Sequence, residues 1–355
     1  MAIATVSGVR IAGMASAVPT DISTVPDMAQ VFGDESAQKI SENTGVVTRR
    51  IAAPDVCTSD LCEAATHGLL SDLRWSPDSV DLVVFVSQTP DYRLPATACV
   101  LHGKLGLAKT CAAFDVNLGC SGYVYGLWMA GRLMESGSIR RALLMVGDTG
   151  THSVSPLDRS AAPLFGDAAS VTALEVDPQA SPMVFELGTD GTGAQDLIIP
   201  AGGYRMPSTS TTCVRSEREG SNIRSDEDLY MNGTEIFTFT LREVPSMVKQ
   251  ALEQAGWQMD DVDAFVFHQA NRFILNHLVK RMKIASDKVP LSIDIFGNTS
   301  SASIPITMTE RLSDTLKTQS MKLVLAGFGV GLSWAAATVE CGPIVISDLV
   351  SVSGA

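Results

Sequence analysis

Apolar and polar positions along this chain alternate between two patterns. Continuous apolar runs of strand length stand at residues 80–88 (VDLVVFVSQ) and Arg141–Asp148 (RALLMVGD). Such runs predict strands buried in a sheet covered on both faces. Helical periodicity predicts helices over residues 26–43, over Thr58–Leu73 and from Pro95 to Leu105. The second has Thr58 or Ser59 as its cap, with Leu61, Ala64, Ala65 and Leu69 on one face. The opening stretch, MAIATVSGVRIAGMASAVP, reads as a first strand, because it lacks a basic leader region and is interrupted by Gly8, Arg10 and Gly13. Helices alternating with buried strands predict α/β layering.

The stretch at residues 114–137, FDVNLGCSGYVYGLWMAGRLMESG, organises the rest. Residues 115–118 read as a strand end and Gly119 as a sharp turn. Residues 123–134 read as a helix that is apolar almost all round, and Gly137 as its closing cap. Cys120 then stands where a buried helix begins, beside unpaired backbone N–H groups and the positive end of the dipole. That setting is expected to lower its pKa and favour the thiolate. Gly119 and Gly122 leave room for a substrate beside the sulfur.

An internal match divides the chain. LLSDLRWSPDSVDLVVF at residues 69–85 aligns without a gap with ALEQAGWQMDDVDAFVF at 251–267, an offset of 182 residues that pairs Trp75 with Trp257 and Asp81 with Asp263. ALLMVGD and LVLAGFG echo each other at nearly the same offset. Two copies of one set of βα units are the expectation, with halves at residues 1–185 and 186–355, and chance similarity of two helix–strand units is the alternative. Packed face to face, the halves would bring equivalent strand ends together. Between them lie turn-rich residues 188–213 and the charge run RSEREGSNIRSDEDLY, which reads as a solvated loop. Residues 231–256 resume as helix, with Pro245 as a kink or a restart.

Composition narrows the function. A formal charge of -13 argues against a nucleic-acid surface. Seven cysteines without CxxC spacing or neighbouring histidines suggest neither a disulfide framework nor a metal site, and a reducing cytoplasm is the natural setting. No apolar run approaches the roughly 18 residues of a membrane helix, so no membrane insertion is expected. DGTG and GFGVG lack dinucleotide-motif spacing and no Walker sequence is present, so no cofactor is expected.

If Cys120 is a nucleophile, its partners come from the second half. The repeated strand there ends in FVFHQAN, which puts His268 at a carboxyl-terminal strand edge. Asn298, in IFGNTSSASIP, sits in a Gly-Asn turn 178 residues after Gly119-Cys120 and is its candidate counterpart. The other cysteines read as inert thiols, and His67, His102, His152 and His277 as structural or surface residues.

LGCSGY, FGDAAS, HQAN, GNTSSAS and GFGVGLSW, in this order, resemble the β-ketoacyl-acyl carrier protein synthase III family of the thiolase superfamily, from about residue 8 to about residue 340. The resemblance implies an α/β thiolase fold of five layers, αβαβα, with two pseudo-symmetric halves, a homodimer, and a Cys120-His268-Asn298 site. Cys120 would take an acyl primer from an acyl-CoA or acyl-carrier thioester. His268 and Asn298 would hydrogen-bond the thioester carbonyl of malonyl-acyl carrier protein as carbon dioxide leaves. Backbone N–H groups of Cys120 and Val330 would form the oxyanion hole, and Phe328 would shape the cavity. Degradative thiolases carry a second catalytic Cys in the glycine-rich loop, which GFGVGLSW lacks. Hydroxymethylglutaryl-CoA synthases need a carboxylate at the end of the early strand, where Ser87-Gln88-Thr89 has none.

The resemblance breaks at three positions. Housekeeping members hold the CoA adenine with a Trp and an Arg where this chain has Lys39 and Asn43, although Arg159 matches a further CoA contact. Leu94 replaces a Phe that crosses the dimer and closes the partner's acyl pocket. Together these changes point away from acetyl-CoA toward a longer primer. The competing functions are a thiolase-fold acyltransferase passing the Cys-bound acyl group to an amine or hydroxyl, and a non-catalytic partner subunit. No role is assigned to the ending CGPIVISDLVSVSGA.

Overall fold

The computed structural model describes residues 2–354, so Met1 and Ala355, the ends of the stretches read above, lie outside it. Two sheets carry the architecture. The first joins β2 (Val9–Pro19), β5 (Leu82–Val86), β6 (Ala112–Val116), β7 (Arg141–Asp148), β8 (Ala168–Val176), β17 (Val345–Ile346) and β18 (Val350–Val352). Its order is β17-β2-β8-β7-β5-β6, with β18 also on β2. The second has the order β1-β9-β16-β15-β14, from β1 (Ala2–Val6), β9 (Met183–Thr189), β14 (Ala264–Phe267), β15 (Met321–Gly329) and β16 (Ser333–Cys341). Short ribbons pair β3 (Ile22–Thr24) with β4 (Thr48–Arg50), β10 (Leu197–Ile198) with β13 (Tyr230–Met231), and β11 (Ser216–Glu217) with β12 (Ile223–Arg224).

Three apolar clusters set the layers. The central one packs α5 (Gly122–Met134) and α9 (Ser303–Arg311), through Tyr123, Leu127, Ile304 and Met308, between Leu82, Val84 and Leu144 of one sheet and Phe185, Leu323 and Ala335 of the other. Outside the first sheet, α3 (Thr58–Leu73) and α4 (Thr97–Lys104) cover Val83, Phe85 and Met145. Outside the second, α6 (Gly233–Ala255) and α7 (Arg272–Met282) cover Phe265, Phe267 and Val324. The layers run αβαβα. A helix with apolar residues on nearly every face belongs in the middle of such a stack, and strands covered on both faces need no polar alternation.

The duplicated segments fold alike. Each helix of the repeat ends in a left-handed cap, Arg74 or Gly256, and the following Trp N–H returns to a helix carbonyl, Trp75 to Leu70 at 2.9 Å and Trp257 to Leu252 at 3.0 Å. A cation then covers each indole, Arg141 at 4.4 Å over Trp75 and Lys322 at 5.1 Å over Trp257. Asp81 and Asp263 accept from the backbone N–H groups of those same cations, at 3.1 and 2.7 Å. Strand pairing repeats too, parallel for β5 with β7 and for β14 with β15, then antiparallel for β7 with β8 and for β15 with β16.

Three local readings differ from the structure, and a fourth loses one of its alternatives. The opening stretch is two strands, since a turn at Gly8 (φ +69°) sends β1 to the second sheet and β2 to the first. The helix read over residues 26–43 is α1 (Val25–Phe32) and α2 (Asp34–Thr44), parted by Gly33 at φ +81°. α6 runs through Pro245 without a restart. The charge run is solvated over residues 215–221 but not beyond: exposed Arg215 forks onto buried Asp228 at 3.0 and 2.9 Å, and buried Arg224 reaches Asp158 at 3.4 Å and lies over Tyr230. Paired charges can be buried where single ones cannot. The unassigned ending forms β17 and β18, both parallel to β2.

Candidate active site

Each element of the site follows from a local feature of sequence. A tight turn in which Gly122 N–H donates to Gly119 C=O at 2.6 Å ends β6 and starts α5, leaving Cys120 at its apex. The turn seats closely against β15: a Cβ on Gly327 would stand 2.6 Å from the Cys120 carbonyl oxygen, and one on Gly329 would stand 2.8 Å from Sγ. His268 follows β14, anchored by its N–H to the Ala326 carbonyl at 2.8 Å. α8 (Ile293–Phe296) ends at Gly297 in a positive-φ conformation (+68°), and Asn298 follows. Asn298 N–H donates to Leu164 C=O at 2.9 Å and its carbonyl accepts from Gly166 N–H at 3.1 Å, so the FGDAAS segment clamps the loop.

Cys120, His268, Asn298 and Phe328 line one buried cavity of about 40 Å³, walled by Leu164, Leu197, Met231, Ile236 and Ile274. The Phe328 ring meets the His268 imidazole edge-on at 5.5 Å between centroids. Asn298 Oδ1 accepts from Ser300 N–H at 3.0 Å, which aims its amide group. His268 Nδ1 lies 2.7 Å from Ser303 Oγ, itself 2.8 Å from the Ser300 carbonyl. A hydroxyl has one proton to give, so its direction sets the imidazole tautomer. Donating to the Ser300 carbonyl, it accepts from Nδ1–H and leaves Nε2 bare; turned to His268 instead, it leaves the proton on Nε2.

Burial governs the protonation states. It pushes the His268 pKa down to about 3, so the ring is neutral at pH 7. It also pushes the Cys120 thiol up to about 11, the reverse of the expectation from its place at a helix start. Backbone hydrogen bonds from Val330 and from Cys120 itself favour the thiolate, but desolvation outweighs them, and the charge of Asp148 adds to the upward shift. The backbone N–H of Val330 therefore points at the sulfur, while its side chain takes no part.

Two residues named from the sequence stand apart from this cavity. Leu94 is 78% exposed on the surface. Arg159 donates to Ser36 Oγ at 2.9 Å and its guanidinium lies 5.9 Å from the centre of the Phe32 ring. Lys39 instead pairs with Glu35 at 2.6 Å, exposed to water. The sequence reading missed Phe32 as an aromatic neighbour of Arg159, and it missed Asp148, Ser300 and Ser303. The signal for Asp148 was available, since it is the last residue of a buried apolar strand at the sheet's carboxyl edge, where ligands meet open α/β sheets.

Comparison with known proteins bears on this geometry. Residues 114–191 match the model for 3-oxoacyl-[acyl-carrier-protein (ACP)] synthase III and residues 252–341 that for its C-terminal portion. The β-ketoacyl-[acyl-carrier-protein] synthase III of Caldanaerobacter subterraneus is 35% identical over 331 residues, 93% of this chain and 97% of the relative. The chain belongs to the 3-oxoacyl-[acyl-carrier-protein] synthase III family. A relative in Roseiflexus castenholzii is 36% identical over 93% of the chain and 97% of its own length. Among solved structures, a 3-oxoacyl-(acyl-carrier protein) synthase from Burkholderia xenovorans superposes with a TM-score of 0.94 at 43% identity, covering 99% of both chains. The synthase III from Pseudomonas aeruginosa gives 0.81 at 30% identity, covering 95% of this chain and 99% of that one. The five layers are thus the thiolase fold, and synthase III membership makes the chain an acyltransferase of the condensing class. Among the described residues no helix is long and apolar enough to cross a membrane.

Proposed function

We propose that this synthase III takes an acyl primer from an acyl-CoA or acyl-carrier thioester onto Cys120 and extends it by decarboxylative condensation with malonyl-acyl carrier protein, giving a 3-oxoacyl product. The observation that carries the reading is a buried thiol, a neutral imidazole and a backbone-aimed amide sharing one apolar cavity. With the Ser303 hydroxyl turned to Nδ1, a neutral His268 donates from Nε2 to a developing enolate without placing a cation beside it, and Asn298 supplies the second donor. Val330 and Cys120 N–H groups, already directed at the sulfur, suit the tetrahedral oxyanion that forms on the acyl carbon. Dividing the reaction into acyl transfer and carbon–carbon bond formation replaces one hard step with two easier ones. Residues 1–185 would contribute the nucleophile and 186–355 the imidazole and amide. Intact His268 and Asn298 favour condensation over acyl transfer to an amine or hydroxyl.

The reading extends to a cytoplasmic homodimer. Among the described residues β6 pairs only with β5 and leaves its other edge open, which suits continuation of the sheet into a second copy. Leu94, exposed in the single chain, would then reach the partner's acyl pocket.

Intact-protein mass spectrometry after incubation with acyl thioesters tests the assignment. Wild type is expected to gain one acyl mass at Cys120 and then release carbon dioxide from malonyl-acyl carrier protein. Cys120→Ser is expected to gain none, since a hydroxyl is a far weaker nucleophile at neutral pH. Acylation of that variant at another cysteine would remove Cys120 from the mechanism.

A further inference from the structure

Cys120 faces a cavity of only about 40 Å³, room for about three waters and too little for an extended acyl chain. A second cavity of about 390 Å³ lies beside α1, bounded by the β3–β4 ribbon and by residues from 151 to 165. Among the described residues Phe165 alone lines both. It packs on one side into the apolar cluster of Leu164 and Met231, which belong to the Cys120 cavity. On the other side it packs into the cluster of Val154, Ala162 and Phe32, which belong to the second. One half-buried ring therefore divides the two spaces.

The walls of the second cavity come from Met28, Val31, Phe32, Val154, Pro156 and Ala162. Its polar neighbours are engaged with protein groups. Thr151 donates to buried Asp167, a His152 ring nitrogen lies 3.2 Å from the Ala52 carbonyl, and Asp27 accepts from Thr24 N–H at 2.8 Å. Such a lining favours hydrocarbon over a charged ligand. The Phe165 backbone is pinned independently of its ring. Arg49 Nη1 donates to its carbonyl at 3.0 Å, while the flanking Leu164 C=O and Gly166 N–H hold Asn298 at 2.9 and 3.1 Å. A turn about χ1 from one staggered well to another opens the partition and leaves Asn298 in place.

We infer that the cavity beside α1 holds the tail of a long acyl primer, reached by displacement of the Phe165 ring, so that Phe165 sets which chain lengths Cys120 accepts. This rests on Cys120 being the acyl acceptor. The thioester head stays beside Cys120 and the carbons beyond the first few pass the ring. Each methylene buried against the apolar walls favours the bound chain by up to about fourfold. The space is bounded by residues of a single chain, so it adds to any that Leu94 of the partner subunit leaves in a dimer.

Two measurements test it. In the first, Cys120 of the wild type is loaded from a dodecanoyl thioester bearing a photoreactive diazirine at the chain end, irradiated, and the crosslinked peptide read by mass. Crosslinks are expected in α1 or in residues 151–156. Crosslinks confined to the loop that carries Leu94 would overturn the inference and leave chain length to the dimer interface. The second measurement compares single-turnover loading from acetyl and dodecanoyl thioesters. Val31 lies on α1, 49% exposed and outside the Cys120 cavity, and Val31→Trp sets an indole in the second one. This variant is expected to load dodecanoyl about tenfold more slowly and acetyl within about twofold of wild type. Phe165→Ala removes the partition and is expected to raise the dodecanoyl-to-acetyl ratio about tenfold, a gain that adding Val31→Trp should cancel. Damage to the Asn298 loop would slow both chains alike and leave that ratio unchanged. Independent effects of the two substitutions, or equal slowing of both chains by Val31→Trp, overturn the inference. A wild type that loads acetyl and refuses dodecanoyl overturns it too, with Cys120 still the acceptor. Absence of all acylation overturns the functional reading, and this inference with it.

Discussion

A thiol with a pKa near 11 is ionised to only about one part in ten thousand at pH 7, so at residue scale this site is built from neutral groups. His268→Ala and Asn298→Ala should therefore still acylate at Cys120. Each should lose malonyl decarboxylation by about 2–4 kcal/mol of barrier, measured as carbon dioxide release from the loaded enzyme. Full decarboxylation in both variants would break the assignment. His268 also links stability to pH. Its folded pKa of about 3 lies below its ordinary 6.5, so the unfolded chain binds the extra proton between these values. Stability is then fully present above about pH 6.5 and falls on acidification toward pH 3, by an amount on the order of 5 kcal/mol. Urea midpoints of wild type and His268→Gln across this range should converge as pH falls; a constant gap would contradict a buried neutral imidazole.

Element packing explains how closely the Cys120 thiol is held. β15 lies so near the start of α5 that Gly327→Ala would set a methyl 2.6 Å from the Cys120 carbonyl and 2.8 Å from Ser121 Cα, both backbone atoms that cannot turn aside. The substitution is expected to destabilise by about 1–3 kcal/mol and to slow acylation, read from the denaturation midpoint and loading rate of one preparation. A neutral result would mean that the α5 turn is free to shift. Buried strands and the central helix were legible because a continuous apolar run has few folded uses. The breaks at Gly8 and Gly33 were less legible, since glycine inside a plausible pattern marks a possible turn without saying which sheet or helix the chain enters next. The Arg215 and Arg224 pairs with Asp228 and Asp158 were hidden for another reason: their partners are fixed by the folded loop, whereas sequence shows only charge density.

For the whole molecule, the primer preference expected from Leu94 depends on the homodimer. Sedimentation should report twice the 37.6 kDa mass of the chain, and a proline at Phe114 in β6 should reduce it to the single mass. In the dimer, Leu94 is expected to leave space at the far end of the partner's acyl pocket. Medium-chain acyl thioesters should then load Cys120 faster than acetyl-CoA, each buried methylene contributing up to about 0.8 kcal/mol, and Leu94→Phe should narrow that preference. Loading rates from acetyl to dodecanoyl provide the measurement. An acetyl optimum in the wild type would refute the longer primer and leave the catalytic assignment standing.

Sequence alone indicated the α/β layering and the repeat, and it named Cys120, His268 and Asn298, which the fold brings to one cavity. Each of these is written locally: apolar runs record burial, the gapless match of Trp75 and Trp257 records the repeat, and Cys120, His268 and Asn298 sit in recognisable turns. Tertiary structure decided what depends on surroundings. A helix start favours a thiolate, yet the Cys120 thiol is held in its protonated form because β15 packs against it and the cavity it lines is buried, and desolvation of a charge outweighs a few backbone hydrogen bonds. Asp148 likewise became part of the site only when β7 and the Asn298 loop met, since a carboxylate at a strand end gains its meaning from the hydroxyl that folding places beside it.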